Sequence, residues 1–143
     1  MLVALPKGTD PIVVASLSDN IVDGYRAVAG PLAENPSAAV LIVGGSGSIG
    51  LYAVGAAIGL GAERVVYVDR SRQRLATAAA YGAEVLPVEE RWPERIEAFP
   101  ITVDANSTRE GLLLALRSTA PGGVCTSTGM HFGVTDLPST SCT

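Results

Sequence analysis

An α/β fold, a doubly wound parallel sheet, is what this sequence predicts, and three observations predict it. Short β-rich runs alternate with helical runs of about ten residues along most of the chain. A glycine-rich turn joins the first β-rich run to the helix that follows it. With 143 residues, 48% hydrophobic and 17% charged, the chain suits one domain with a buried core and leaves no room for a second full one.

Residues 1 to 11 carry Pro6, Gly8 and Pro11 and read as an irregular lead-in. Asp19 or Asn20 is placed to cap a helix whose Ile21, Val22, Tyr25 and Val28 share one face, and Gly30-Pro31 is expected to end it. This lead-in and linking helix occupy 1–37, and the sheet domain 38–143. A strand runs from about Ala39 to Val43, followed by the glycine turn and a helix from Ile49 to Leu60. That helix is apolar nearly all round and must be buried on more than one side, with Gly55 and Gly59 thinning the face toward the sheet. Val65 to Val68 form a second strand, Ser71 to Tyr81 a helix and Val85 to Val88 a short strand. Gly61-Ala62-Glu63 and Gly82-Ala83-Glu84 echo each other, each setting a glycine just past a helix, where the left-handed C-cap needs no Cβ. A strand at Ile101 to Asp104, a helix at Arg109 to Thr119, a Pro121-Gly122-Gly123 turn and a strand at Val124 to Ser127 complete the pattern. From Asp136 the chain looks irregular. Right-handed crossovers between such strands give a parallel sheet covered on both faces, a Rossmann-like domain that is one strand short of the usual six.

Composition narrows the function. A net charge of -4 argues against a nucleic-acid partner, whose binding needs clustered Lys and Arg. Enough apolar residues are present to exclude disorder. Two cysteines, Cys125 and Cys142, and one histidine, His131, assemble neither a zinc ribbon nor a disulfide scaffold, which points to a reducing, cytoplasmic compartment. No charge occurs between Ser37 and Ala62, but Gly44 to Ser48 split that stretch below the length of a membrane span. The N-terminus lacks the pattern of a signal peptide.

The chemistry concentrates at Gly45-Ser46-Gly47-Ser48-Ile49-Gly50, a GxGxxG pattern that follows a strand and opens a helix. Gly45 permits the tight turn, Gly47 lets a pyrophosphate approach the backbone, and Gly50 lets helix and strand pack closely. The helix start supplies free N–H groups and the positive end of the helix dipole. Asp69 ends the second strand 19 residues after Gly50, near the offset at which an acid meets the adenosine ribose. A carboxylate there accepts from the ribose hydroxyls and repels a 2′-phosphate, so NAD is expected over NADP. Arg70, Arg72 and Arg74 follow at once; arginines here can hold a 2′-phosphate, although Arg70 and Arg72 also read as a solvated helix start.

These residues resemble the medium-chain dehydrogenase/reductase superfamily, the zinc-type alcohol dehydrogenases, and specifically their coenzyme-binding domain. The likeness rests on Asp19-Asn20 through Tyr25 to Val28, on Val40 to Gly45 leading into Ser48 to Leu51, on Val68-Asp69 with Arg74-Leu75, and on Gly122-Gly123-Val124 before Gly129. It implies that Asp69 is the ribose-binding acid and Arg74 the basic residue beside the same ribose. It implies further that Ala105 to Ser107, Asn106 among them, lie near the adenosine, that Ser127, Thr128 and Gly129 offer backbone to the nicotinamide, and that Asp19 to Ala29 lie near the nicotinamide end.

The departures from the family matter equally. Its catalytic zinc needs a cysteine, a Gly-His-Glu histidine and a further cysteine or acid, and none of that set is in this chain. Cys125 reads as a buried strand residue and His131 as a loop residue. No GxSxG elbow surrounds a serine, and Glu89-Glu90 read as solvated surface. The resemblance therefore implies a fragment or an unusually short member that binds a dinucleotide but lacks the catalytic domain that would make it active. The family's coenzyme domains pair through a last strand not visible here, which leaves the homodimer open. Two rivals are a free-standing dinucleotide-binding module and an S-adenosylmethionine-dependent methyltransferase. Against the second, the third glycine lies inside the helix start and no acid precedes the turn in Val40 to Val43.

Overall fold

The computed structural model describes residues 4–45, 47–134 and 136–137. Its order is α1 (Asn20–Glu34), β1 (Val40–Val43), α2 (Ile49–Gly59), β2 (Val65–Asp69), α3 (Arg72–Ala80), β3 (Glu84–Pro87), β4 (Phe99–Asp104), α4 (Arg109–Arg117) and β5 (Thr119–Ser127). The five strands form one sheet in the order β3-β2-β1-β4-β5, and every neighbouring pair is parallel. This is the doubly wound α/β arrangement that the alternating pattern predicts, with the chain reversing direction across the sheet between β1 and β4.

Strands β1 and β2 are apolar at successive positions because both faces of a parallel sheet are covered. Val40, Ile42, Val65 and Tyr67 face a core shared with α1, α2 and α3. Leu41, Val43, Val66 and Val68 face the opposite core, closed by α4 and by Val88, Trp92 and Ile96 of the β3–β4 loop. Each fully buried aliphatic side chain contributes about 1.5–3 kcal/mol, so these two strands are the energetic centre of the domain.

Several local expectations are corrected. Helix α1 runs through Gly30-Pro31 to Glu34. A proline removes one helical hydrogen bond, but Leu32 one turn beyond Val28 is buried on the same stripe, and Asn35 closes the helix by donating its N–H to the Pro31 carbonyl at 2.9 Å. Neither Asp19 nor Asn20 caps the start by its side chain. Asn20 instead donates from Nδ2 to Ser48 Oγ at 2.9 Å, tying α1 to the start of α2. The buried stripe of α1 is Gly24, Ala27, Val28 and Leu32, leaving Tyr25 half exposed. Gly55 and Gly59, expected on the face of α2 toward the sheet, are exposed, and the close approach on α2 is made by Gly24 of α1. A Cβ on Gly24 would lie 2.6 Å from Tyr52 Cβ and 2.8 Å from the Ala53 nitrogen and the Ile49 carbonyl. Pro121-Gly122-Gly123 is a bulge within β5: Phe99 pairs with Thr119 but Ile101 with Val124, and Gly122 takes φ +74°. Helix α4 consequently stops at Arg117, because Thr119 is already in the sheet. Cys142 and most of the segment expected to be irregular lie outside the described residues. Among the described residues, no helix is long and apolar enough to cross a membrane.

Candidate functional site

The C-terminal ends of β1, β2 and β4 meet at the glycine turn. The Gly44 N–H donates to the Val68 carbonyl at 2.8 Å and the Ala105 N–H to the Val43 carbonyl at 2.9 Å, so the turn leaves the sheet between its two neighbours. Gly45 lies against the β4–α4 loop, where a Cβ would be 2.7 Å from both the Ala105 oxygen and the Asn106 Cα. Gly50 packs beneath, its would-be Cβ 3.3 Å from the Ala105 Cβ and the Tyr67 ring. Gly47 differs from both: it is exposed, and a Cβ there would meet nothing within 4 Å. Helix α2 then opens at Ile49, with Ser48 at its N-cap making no side-chain cap bond. Ser46 lies outside the described residues.

Asp69 ends β2 and is 1% exposed. Its Oδ1 accepts from the Ser71 N–H at 2.7 Å and Arg74 Nη2 at 2.8 Å, and its Oδ2 from Tyr67 Oη at 2.6 Å and Arg74 Nε at 2.7 Å. A carboxylate has about four lone-pair positions, and here each is in use within the chain. Burial raises the Asp69 carboxyl, but the Arg74, Tyr67 and Ser71 hydrogen bonds outweigh it and hold the group below the usual aspartate range. Burial, and then the bond to Asp69, push the Tyr67 hydroxyl well above its ordinary value, so it stays a donor. The acid and the basic residue singled out from sequence are thus a bidentate pair rather than two separate groups.

Asn106, 3% exposed, is a cross-link: Nδ2 donates to the Gly44 carbonyl at 2.6 Å, and Oδ1 accepts from Thr108 N and Oγ1 at 2.8 and 2.6 Å. Asp104 at the end of β4 is fully buried and collects the end of β5. It accepts from the Asn106 N–H, Ser127 Oγ and His131 Nε2, the last two at 2.7 and 2.8 Å. Thr128 donates from both N–H and Oγ1 to the Asp104 carbonyl, and Gly129 lies against Asn106. His131 is the loop residue expected from sequence, and it is tethered to the end of β4. Cys125 sits partly buried in β5, and burial raises its thiol.

Between these groups lies a groove of about 250 Å³ lined by Gly44, Gly45, Asp69, Arg74, Ser107 and Thr108, with Arg70 and Trp92 at its outer end. Arg70 is exposed, as a solvated helix start would be, yet it reaches across to the β3–β4 loop. Its guanidinium lies over the Trp92 ring, 5.4 Å from the centroid, and donates to the Glu90 carbonyl at 3.2 Å. Arg72 is exposed. Sequence reasoning missed Trp92, Thr108 and Tyr67. The first had a signal, being the sole tryptophan and lying in the polar stretch Glu89 to Arg95. Among the described residues, no three His, Cys, Asp or Glu side chains come together as a group that could hold a metal ion.

Comparison with known proteins adds to this geometry. Residues 48–143 match the family model of zinc-binding dehydrogenases. A probable zinc-binding alcohol dehydrogenase of Mycobacterium tuberculosis is 30% identical over 131 residues, covering 89% of this chain and 34% of that protein. The structure is similar to alcohol dehydrogenase TADH from Thermus sp. ATN1, with TM-score 0.84 and 26% identity over 96% of this chain and 41% of that one. Its fold is also that of acetophenone reductase from Geotrichum candidum, solved in complex with NAD, at TM-score 0.73 and 24% identity over 86% of this chain and 35% of that one. The chain thus spans 34% to 41% of the length of these relatives.

Proposed function

The chain belongs to the zinc-binding dehydrogenase family of medium-chain dehydrogenase/reductases, and from that premise we propose that it binds NAD(H) for an alcohol dehydrogenase-like oxidoreductase and is inactive alone. In this reading Gly45, Gly47, Ser48, Ile49 and Gly50 receive the pyrophosphate, Asp69, Arg70, Arg74 and Asn106 frame the adenosine, and Thr128 and Gly129 lie toward the nicotinamide. One observation carries it. Gly45 and Gly50 are pressed against protein, whereas Gly47 faces open space at the start of a helix, as a phosphate-receiving backbone requires. A turn built only for packing would have no use for that gap.

The cofactor supplies the hydride chemistry when bound; the chain's residues bind and orient it. Preference for NAD(H) over NADP(H) is supported by the state of the arginines. Arg74 is spent on Asp69 and Arg70 on Trp92 and the Glu90 carbonyl, and the exposed Arg72 is not part of the groove lining, so a 2′-phosphate in the groove would meet a carboxylate and guanidinium groups already engaged. A ribose hydroxyl would exchange for one of the Arg74 bonds to Asp69. Substrate and proton path belong to a catalytic domain outside these residues, a reading that the greater length of the relatives supports. A reducing, cytoplasmic setting completes the reading.

Calorimetric titration of the chain with NAD+, NADH, NADPH and S-adenosylmethionine tests it, with Asp69→Ala alongside. Saturable NADH binding, tighter than NADPH and weakened by the substitution, is expected. A folded sample that binds none of the four, or binds S-adenosylmethionine alone, overturns it.

A further inference from the structure

We propose that Trp92 and Arg70 form the shelf on which the adenine ring of the dinucleotide stacks, so that a residue of the β3–β4 loop anchors the base beyond the buried acid. The inference rests on the dinucleotide reading above and deepens it. Asp69 is enclosed and its acceptor positions are filled, so it offers little to a ligand without rearrangement. What the groove presents beyond Asp69 is the Arg70–Trp92 pair, with Ser107 and Thr108 of the β4–α4 loop also lining it. A second hollow of about 440 Å³ shares Arg70, Trp92 and Thr108 with the first and continues it outward. Trp92 lines both hollows, so the aromatic ring stands where they adjoin.

The chemistry of that outer end suits a base better than a phosphate. A planar guanidinium over an indole is a partly desolvated stacking surface, and nucleobases stack on such surfaces whatever their hydrogen-bonding edge. Glu90 and Glu110 line the outer hollow with Arg70 and Arg91, so its charges balance, and the two carboxylates can accept from an exocyclic amine. The shelf is also held in place. Trp92 packs partly against the core below β1 and β2, and the Glu90 carbonyl fixes the Arg70 guanidinium.

Trp92 is the sole tryptophan, so the chain's own emission reports on the shelf. Adenosine monophosphate, nicotinamide mononucleotide and NADH are titrated into the full chain, followed by fluorescence and by calorimetry. Adenosine monophosphate is expected to bind and change the Trp92 emission, and nicotinamide mononucleotide to leave it unchanged. Trp92→Leu, which keeps apolar bulk without the π face, should weaken adenosine monophosphate and NADH about ten-fold or more by calorimetry, with Trp92→Phe between it and the parent. If NADH and adenosine monophosphate bind Trp92→Leu as they bind the parent, the shelf is wrong and the dinucleotide reading stands. Should Trp92→Leu fail to fold by circular dichroism, adenosine monophosphate binding to the parent without a change in emission refutes the shelf equally. A folded parent that binds neither NADH nor adenosine monophosphate overturns both.

Discussion

Adding a single methyl group at Gly47 separates a phosphate cradle from a packing turn. In the structure a Cβ at this position meets nothing within 4 Å, and the residue is not among the glycines with positive φ. Gly47→Ala therefore introduces neither a clash nor backbone strain, and by restricting the unfolded chain it should raise stability by about 0.4–1 kcal/mol. The same methyl would stand where a pyrophosphate has to approach the backbone. Losing one charge-assisted hydrogen bond to a phosphate oxygen costs about 1.5–3 kcal/mol, which is a ten- to hundred-fold weaker NADH affinity. Gly45→Ala is the control of opposite character, since its Cβ would lie 2.7 Å from backbone atoms of Ala105 and Asn106. It should lower stability by about 1–3 kcal/mol through overpacking. Urea midpoints and NADH calorimetry on both variants make the comparison. Undiminished NADH affinity in Gly47→Ala would refute the assignment of the phosphates to this turn, and a drop in its stability would refute the local geometry.

Further outcomes follow from the same contacts. Replacing Asp69 by Asn deprives the buried Tyr67 hydroxyl of its anionic acceptor and Arg74 of its partner, a loss of about 2–3 kcal/mol at neutral pH. Because the folded Asp69 carboxyl titrates below its ordinary value of 3.8, its contribution is present above about pH 4 and fades as pH falls through the folded value. The stability gap between parent and Asp69→Asn should accordingly narrow in urea melts taken from pH 7 toward pH 3, and a constant gap would contradict the pairing. Gly24→Ala gains about 1 kcal/mol of helix propensity but must push α1 off backbone atoms of α2, so a net fall of several degrees in Tm is expected by calorimetry. An unchanged or raised Tm would mean that the two helices yield more easily than their contact suggests.

The parts of the fold that could be read from sequence are those governed by neighbours along the chain. Uninterrupted apolar runs such as Val40 to Val43 belong to strands buried on both faces, and the GxGxxG turn is defined by three glycines within six residues. What escaped was decided by distant partners. Pro31 is tolerated because Leu32 reaches the core, a matter of where α1 lies and not of what surrounds the proline. Asn106 is held by a carbonyl 62 residues earlier, and His131 by an acid 27 residues earlier, so neither role leaves a local trace. Asp69 and Arg74 were visible as residues, yet their mutual bond turns a free acceptor into a closed ion pair. Trp92 escaped for the converse reason: its stretch is polar enough to read as surface, and its place comes from the core beneath it and from Arg70 across the groove.

The bulge in β5 governs how the sheet can grow. An edge strand displays a row of unpaired amides and carbonyls that templates the next strand, and a long straight one invites unselective association. In β5 that row is broken at its first half, where Pro121 has no N–H to donate and Gly122 turns the backbone through the left-handed region. The regular ladder resumes only at Val124 and runs to Ser127. A strand joining here would find four residues of continuous register, which admits a short, well-placed partner and discourages a long indiscriminate one.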